Sequence, residues 1–174
     1  MYQNQPPLLI DGPLTVERLK TAWREIEKIG KRPKPGMRSV ILILNSPGGE
    51  MEAALETVKR LDALGCPFTV KIYRAESAAT FIALSARKRV IVREGVFRLH
   101  LGDALIPSNM LVTTEKVARP IVEEAKRWRA HMFALLEKRG FPQSGPLMNR
   151  LLVRNELLLK PEECLKIGLV TDIF

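Results

Sequence analysis

The chain has 174 residues, of which 46% are apolar and 27% charged, with a net charge of +9. That is enough apolar material for one core of ordinary domain size, and too little bias for a fibrous chain or a long disordered one. No apolar run approaches the roughly 18 to 20 residues that span a bilayer, so a single cytoplasmic domain over residues 1–174, without membrane attachment, is expected.

In chain order, Met1–Pro7 lacks the charged-then-apolar form of a signal peptide. Leu8-Leu9-Ile10 is a short apolar run that stops at Asp11-Gly12-Pro13. Thr15 can cap a helix whose apolar face is Val16, Leu19, Trp23, Ile26 and Ile29. A basic loop, Lys31 to Gly36, leads to a buried strand, Ser39 to Leu44. Helical spacing follows at Met51, Ala54, Leu55, Val58, Leu61 and Leu64, with Gly65 as the stop. Phe68 to Tyr73 reads as a strand and Ser77 to Ala86 as a buried helix. Arg89–Val92 and Val96–Leu101 read as two strands divided by Arg93-Glu94-Gly95. From Thr114 to Gly140 a long helical pattern carries Pro120, which predicts a kink or a late start there. A further helical stretch to about Arg154, a short helix at Pro161–Ile167 and a last strand at Leu169–Ile173 complete the pattern. Strands alternating with helices predict α/β architecture with mostly parallel strands and chemistry at their carboxyl ends.

Cys66 and Cys164 are too few for a disulfide framework and read as small buried hydrophobes. His100 and His131 are the only histidines, so no His-rich zinc site, metal or cofactor is expected. The runs Lys31-Arg32-Pro33-Lys34 and Arg87-Lys88-Arg89 have few aromatics near them. They read better as a solvated basic surface than as a nucleic-acid interface.

The segment NSPGGEMEAA, Asn45 to Ala54, places two glycines between a strand and a helix, where a backbone free of Cβ atoms lets another molecule approach. Ser77 follows the next strand and opens a buried helix, with Ala78 behind it. His100 stands at a later strand end, and Glu156 enters the apolar segment Leu157-Leu158-Leu159. Each has an ordinary alternative: a turn, an N-cap, a structural histidine, a solvated carboxylate. Together they supply a nucleophile, a base, an orienting acid and, from Gly49 and Ala78, two backbone donors for an oxyanion.

The segments LILNSPGGEMEAA, AESAATFIALSARKRVIVREGVFRLH and NELLLKPEECLKIGLVTDI resemble, in this order, the Clp-type serine peptidase subunits, of which this would be a divergent member. The resemblance implies a ClpP/crotonase-like fold of repeated ββα units, with the helix of roughly 114–140 as a projecting handle. It places Ser77 on the nucleophile, His100 on the base, Glu156 on the acid and Gly49 and Ala78 on the oxyanion donors. It further implies peptide or unfolded-protein substrates and a homo-oligomer, a heptameric ring or stacked rings, for which Trp128, Met132, Phe133, Leu135 and Leu136 would furnish the contact. The segment before Leu8 has no clear counterpart of the loops that engage an ATPase unfoldase, so docking to one is expected to be weak or absent. Glu76, where the family has a small residue, would repel an oxyanion or compete for His100. That departure leaves open a catalytically inactive structural or regulatory subunit, and the shared oxyanion chemistry leaves open a crotonase-type acyl-CoA enzyme.

Overall fold

The computed structural model describes residues 6–31, 39–101 and 115–174. Most of the expected basic loop, and Thr114 at the expected start of the long helix, lie outside them. In chain order the elements are β1 (Leu8–Asp11), α1 (Val16–Lys31), β2 (Val40–Ser46), α2 (Met51–Asp62), β3 (Phe68–Glu76), α3 (Ala79–Ser85), β4 (Lys88–His100), α4 (Glu115–Lys138), α5 (Pro146–Arg154), β5 (Glu156–Leu159), α6 (Pro161–Ile167) and β6 (Asp172–Ile173). The described chain forms two compact units: the residues up to Arg98 with Leu158–Phe174, and Leu99–Leu157.

The sheet runs β1-β2-β3-β4-β5, with β6 also beside β4. The β1–β2, β2–β3, β3–β4 and β4–β6 pairs are parallel. Strands β1 to β4 lie in chain order, and the right-handed rule for such parallel connections puts α1, α2 and α3 on one face. The burial pattern agrees: Leu8, Ile10, Leu42, Leu44, Val70 and Ile72 are buried, while their alternating neighbours Leu9 and Ile41 are 59% and 42% exposed. The buried strand expected at Ser39–Leu44 is therefore buried on one face alone. Lys71 Nζ lies 4.9 Å from the ring centroid of Phe174 on that open side.

Helix α1 starts as its sequence predicts, with Thr15 Oγ1 accepting the Arg18 N–H at 3.2 Å. Leu19, Trp23, Ile26 and Ile29 are buried, while Val16, in the first turn, is exposed. Trp23 Nε1 donates to Thr57 Oγ1 at 2.8 Å, and Thr57 donates to the Ala53 carbonyl at 2.7 Å, which satisfies both polar groups between α1 and α2. The Arg60 guanidinium lies 4.8 Å from the Trp23 ring centroid, bonded to Glu27 and Glu56.

Strand β3 continues past Tyr73 to Glu76. The two strands expected around Arg93-Glu94-Gly95 are one strand, β4, with an irregular middle. Ile72 pairs with Ile91, pairing resumes at Arg74 with Val96, and Tyr73 alone opposes Val92–Gly95. Leu157-Leu158-Leu159 belongs to β5, an element with no signal of its own in the sequence.

Arg89, expected on a solvated surface, is buried. Its Nε donates to the Leu169 carbonyl at 2.6 Å, Nη1 to Ala86 at 3.0 Å and Nη2 to Gly168 at 3.2 Å. Ala86 ends α3 and Gly168 ends α6. One cation thus meets the negative ends of two helices, where it is favoured. Cys164 is buried as expected, and burial with the neighbouring Glu163 pushes its thiol up to about 12. Cys66 is only half-buried, and its thiol is raised by desolvation.

In the second unit, α4 runs through Pro120 without a break. Trp128, Met132 and Leu136, four residues apart, are buried within the chain itself. That corrects the expectation that they await a partner surface; only Phe133 and Leu135 of that set stay half-exposed. Leu147, Met148 and Leu151 of α5 are also buried.

Two outcomes follow. Arg89→Met keeps the stem and strips three carbonyls of their donors, so urea unfolding should show a loss of about 2–4 kcal/mol. A thiol reagent near pH 8 should titrate Cys66 in the native chain and reach Cys164 only after unfolding, since only thiolates react.

Candidate active site

The turn after β3 holds the one non-glycine residue of positive φ among the described residues of the first unit. Ser77 has φ +52°, a left-handed conformation that a serine rarely adopts. It donates its N–H to the Arg98 carbonyl of β4 at 3.1 Å. Its own carbonyl accepts from Thr80 twice, from the backbone N–H at 3.0 Å and from Oγ1 at 2.6 Å. Ala78 is fully buried at the mouth of α3.

The turn after β2 lies directly against it. A Cβ added at Gly48 would stand 2.7 Å from Ser77 Cβ, 2.6 Å from the Glu76 carbonyl and 3.1 Å from the Ala78 nitrogen. Gly48 itself has φ +92° and donates its N–H to Ser46 Oγ at 3.1 Å. Gly49 bridges Leu14: Leu14 N–H reaches the Gly48 carbonyl and Glu50 N–H reaches the Leu14 carbonyl, both at 2.8 Å. In such a parallel bridge Gly49's own N–H takes no part and faces away from Leu14. Among the described residues, neither the Gly49 nor the Ala78 N–H has a hydrogen-bond acceptor. Two uncommitted donors and a hydroxyl on a strained turn are thus supplied by the carboxyl ends of adjacent parallel strands, where such sheets bind ligands.

Glu76 departs from expectation. Its carboxylate is nearly buried and bonded to two guanidiniums, Arg74 Nε on its own strand and Arg98 Nε, at 2.7 Å, on β4. Its charge is thereby compensated locally.

His100 and Glu156 lie in the second unit on adjacent segments. His100 is the last residue of β4, and the next N–H, that of Leu101, donates to the Asn155 carbonyl at 3.0 Å. Asn155 closes α5 in a left-handed conformation, φ +59°, and Glu156 follows it, exposed. The His100 ring stacks on Trp128 with centroids 5.6 Å apart and planes 25° from parallel, and Trp128 Nε1 donates to the His100 carbonyl at 3.2 Å. His131 is exposed on α4, with Nδ1 2.8 Å from the Arg127 carbonyl. Of the residues singled out in the sequence, Gly49, Ser77 and Ala78 form one group and His100 and Glu156 another. Arg74 and Arg98 carried no signal, because their roles come from strand register, and Trp128, read as an assembly contact, stacks on His100 instead.

The fold is ClpP-like: a mixed α/β chain with a mostly parallel sheet and, among the described residues, six helices. A ClpP1 point mutant from Listeria monocytogenes matches it with a TM-score of 0.74 over 97% of this chain and 90% of that one, at 17% identity. No protein-family model and no curated protein matches the sequence.

The contact at Gly48 yields a direct test. Gly48→Ala sets a Cβ against Ser77 and imposes φ +92° on an alanine, so stability should fall by about 1–3 kcal/mol in chemical denaturation. Gly49→Ala, 2.2 Å from the Leu14 carbonyl, should cost more.

Proposed function

We propose that this chain is a Clp-like serine endopeptidase that works by a Ser-His-acid mechanism. The observation that carries the reading is the left-handed Ser77, held at a parallel strand end beside the unengaged Gly49 and Ala78 amides. The ClpP-like fold supports it. In this mechanism Ser77 Oγ attacks the peptide carbonyl while His100 takes its proton. The oxyanion is met by the Gly49 and Ala78 N–H groups, whose fixed dipoles need no reorganisation. His100 returns the proton to the leaving amine. Glu156 holds the ring in the required tautomer and stabilises it when charged. Water then repeats the sequence on the acyl-enzyme.

The proposal extends to assembly: one peptidase domain, α4 as its handle, in a closed homo-oligomer such as a heptameric ring or a pair of rings, acting on peptides or unfolded chains. The open sheet face with Leu9, Ile41 and Phe174 supports a partner surface, since parallel sheets are ordinarily covered on both sides. The buried stripe of α4 does not serve that purpose.

A fluorophosphonate probe tests the nucleophile. Wild type should label and Ser77→Ala should not; equal labelling would sink the assignment. His100→Ala should lose activity and His131→Ala keep it. Peptide hydrolysis by wild type should rise with pH to a plateau, because the base works only when neutral. Glu156→Gln should lower kcat by up to about 10⁴-fold. A fully active monomer in light scattering would contradict the assembly.

A further inference from the structure

We infer that Glu76, far from impairing the site, is the positioning residue that fixes the Ser77 turn, acting through Arg98. This inference rests on the reading of Ser77 as a nucleophile. Four observations converge on it. Glu76 is the last residue of β3 and is register-paired with Arg98 of β4. Its buried carboxylate bonds both Arg74 and Arg98, so it ties the end of its own strand to the neighbouring one. The same Arg98 offers its main-chain carbonyl to the Ser77 N–H at 3.1 Å. Ser77, next in the chain, holds a φ of +52° that a serine adopts only when its surroundings impose it.

The side chain of Arg98 is therefore anchored by the residue before Ser77, and its backbone anchors Ser77 itself. The ring so closed, from Ser77 N–H to the Arg98 carbonyl, through the Arg98 side chain to Glu76 and back along the chain to Ser77, spans the end of β3. The Glu76 carboxylate ties the Arg98 side chain to the residue that precedes Ser77, and losing it loosens the hold on the left-handed turn. A carboxylate is the group the geometry requires, because it must pair with two guanidinium charges at once; a neutral amide carries no charge to pair with them. Arg74 is 46% exposed and Arg98 36%, so neither is a core cation and the loss falls on the turn rather than on the core.

The experiment compares full-length wild type, Glu76→Gln, Arg74→Ala and Thr57→Val. The last breaks the Trp23–Thr57 bond between α1 and α2, which touches neither Glu76 nor Ser77, and serves as a control for destabilisation alone. Two readouts are taken per folded molecule: the rate of fluorophosphonate labelling of Ser77, and amide hydrogen exchange at Ser77. Glu76→Gln should slow labelling by about 10- to 100-fold, as expected for a small displacement of a reacting atom. Its Ser77 amide should exchange at least about tenfold faster. Arg74→Ala, which removes one of the two cations, should fall between Glu76→Gln and wild type and keeps the test open if Glu76→Gln does not fold. Thr57→Val should match wild type in both readouts. Unchanged Ser77 protection in Glu76→Gln or Arg74→Ala overturns the inference, whether or not Ser77 labels. Loss of protection in a protein whose wild type never labels upholds the positioning role and refutes the nucleophile reading instead.

Discussion

Strands β1 to β4 lie side by side in chain order and parallel, and the right-handed crossover rule for such strands puts their connecting helices on one face. Helices α1, α2 and α3 fall on one face of the sheet, and the first unit's core lies between them and Leu8, Ile10, Leu42, Leu44, Val70 and Ile72. The same constraint gathers the turns after β1, β2 and β3 at one edge. There Asn45 Nδ2 donates to Asp11 Oδ1 at 2.8 Å, Leu14 bridges Gly49, and Gly48 presses on Ser77. The edge is a set of backbones in contact, and glycine at two points is what lets them meet.

Electrostatics at that edge follows the packing. A carboxylate is a poor neighbour for a developing oxyanion, and a desolvated one is costly unless paired. Arg74 and Arg98 pair with the nearly buried Glu76 carboxylate, and among the described residues the N–H groups of Gly49 and Ala78 stay uncommitted. Arg89 shows the same economy elsewhere. A single buried cation satisfies the carbonyl ends of two helices and fastens residues 168–171 to the end of α3.

Local signals in the sequence mark the elements whose ends carry their own chemistry. Thr15 caps α1, Gly65 follows α2, and Pro161 and Gly168 bracket α6, each as written in the chain. The strand-end position of Ser77 was legible for the same reason, although its positive φ was not. What stayed hidden depends on distant residues. Leu157-Leu158-Leu159 has no alternation and becomes a strand only beside β4. Arg89 sits in a basic run, and only the return of residues 168–171 makes it a core residue. Glu76 looked like a free charge because its partner is set by the β3–β4 register, and Trp128 looked unpartnered because His100 reaches it from twenty-eight residues away.

The first compact unit is discontinuous in the chain, interrupted by residues 99–157 and completed by 158–174. Of the two further strands beside β4, β5 straddles the end of that interruption and β6 comes after it. During translation β4 therefore emerges with one edge open and Arg89 without two of its three acceptors. At roughly 5–20 residues per second the ribosome takes several seconds to supply the missing strands. For that interval the nascent sheet exposes an unpaired edge, the feature through which strands join the wrong chain. Chaperone capture of the nascent polypeptide is to be looked for in this window, and a stop codon placed before residue 158 should give an insoluble product rather than a smaller folded one.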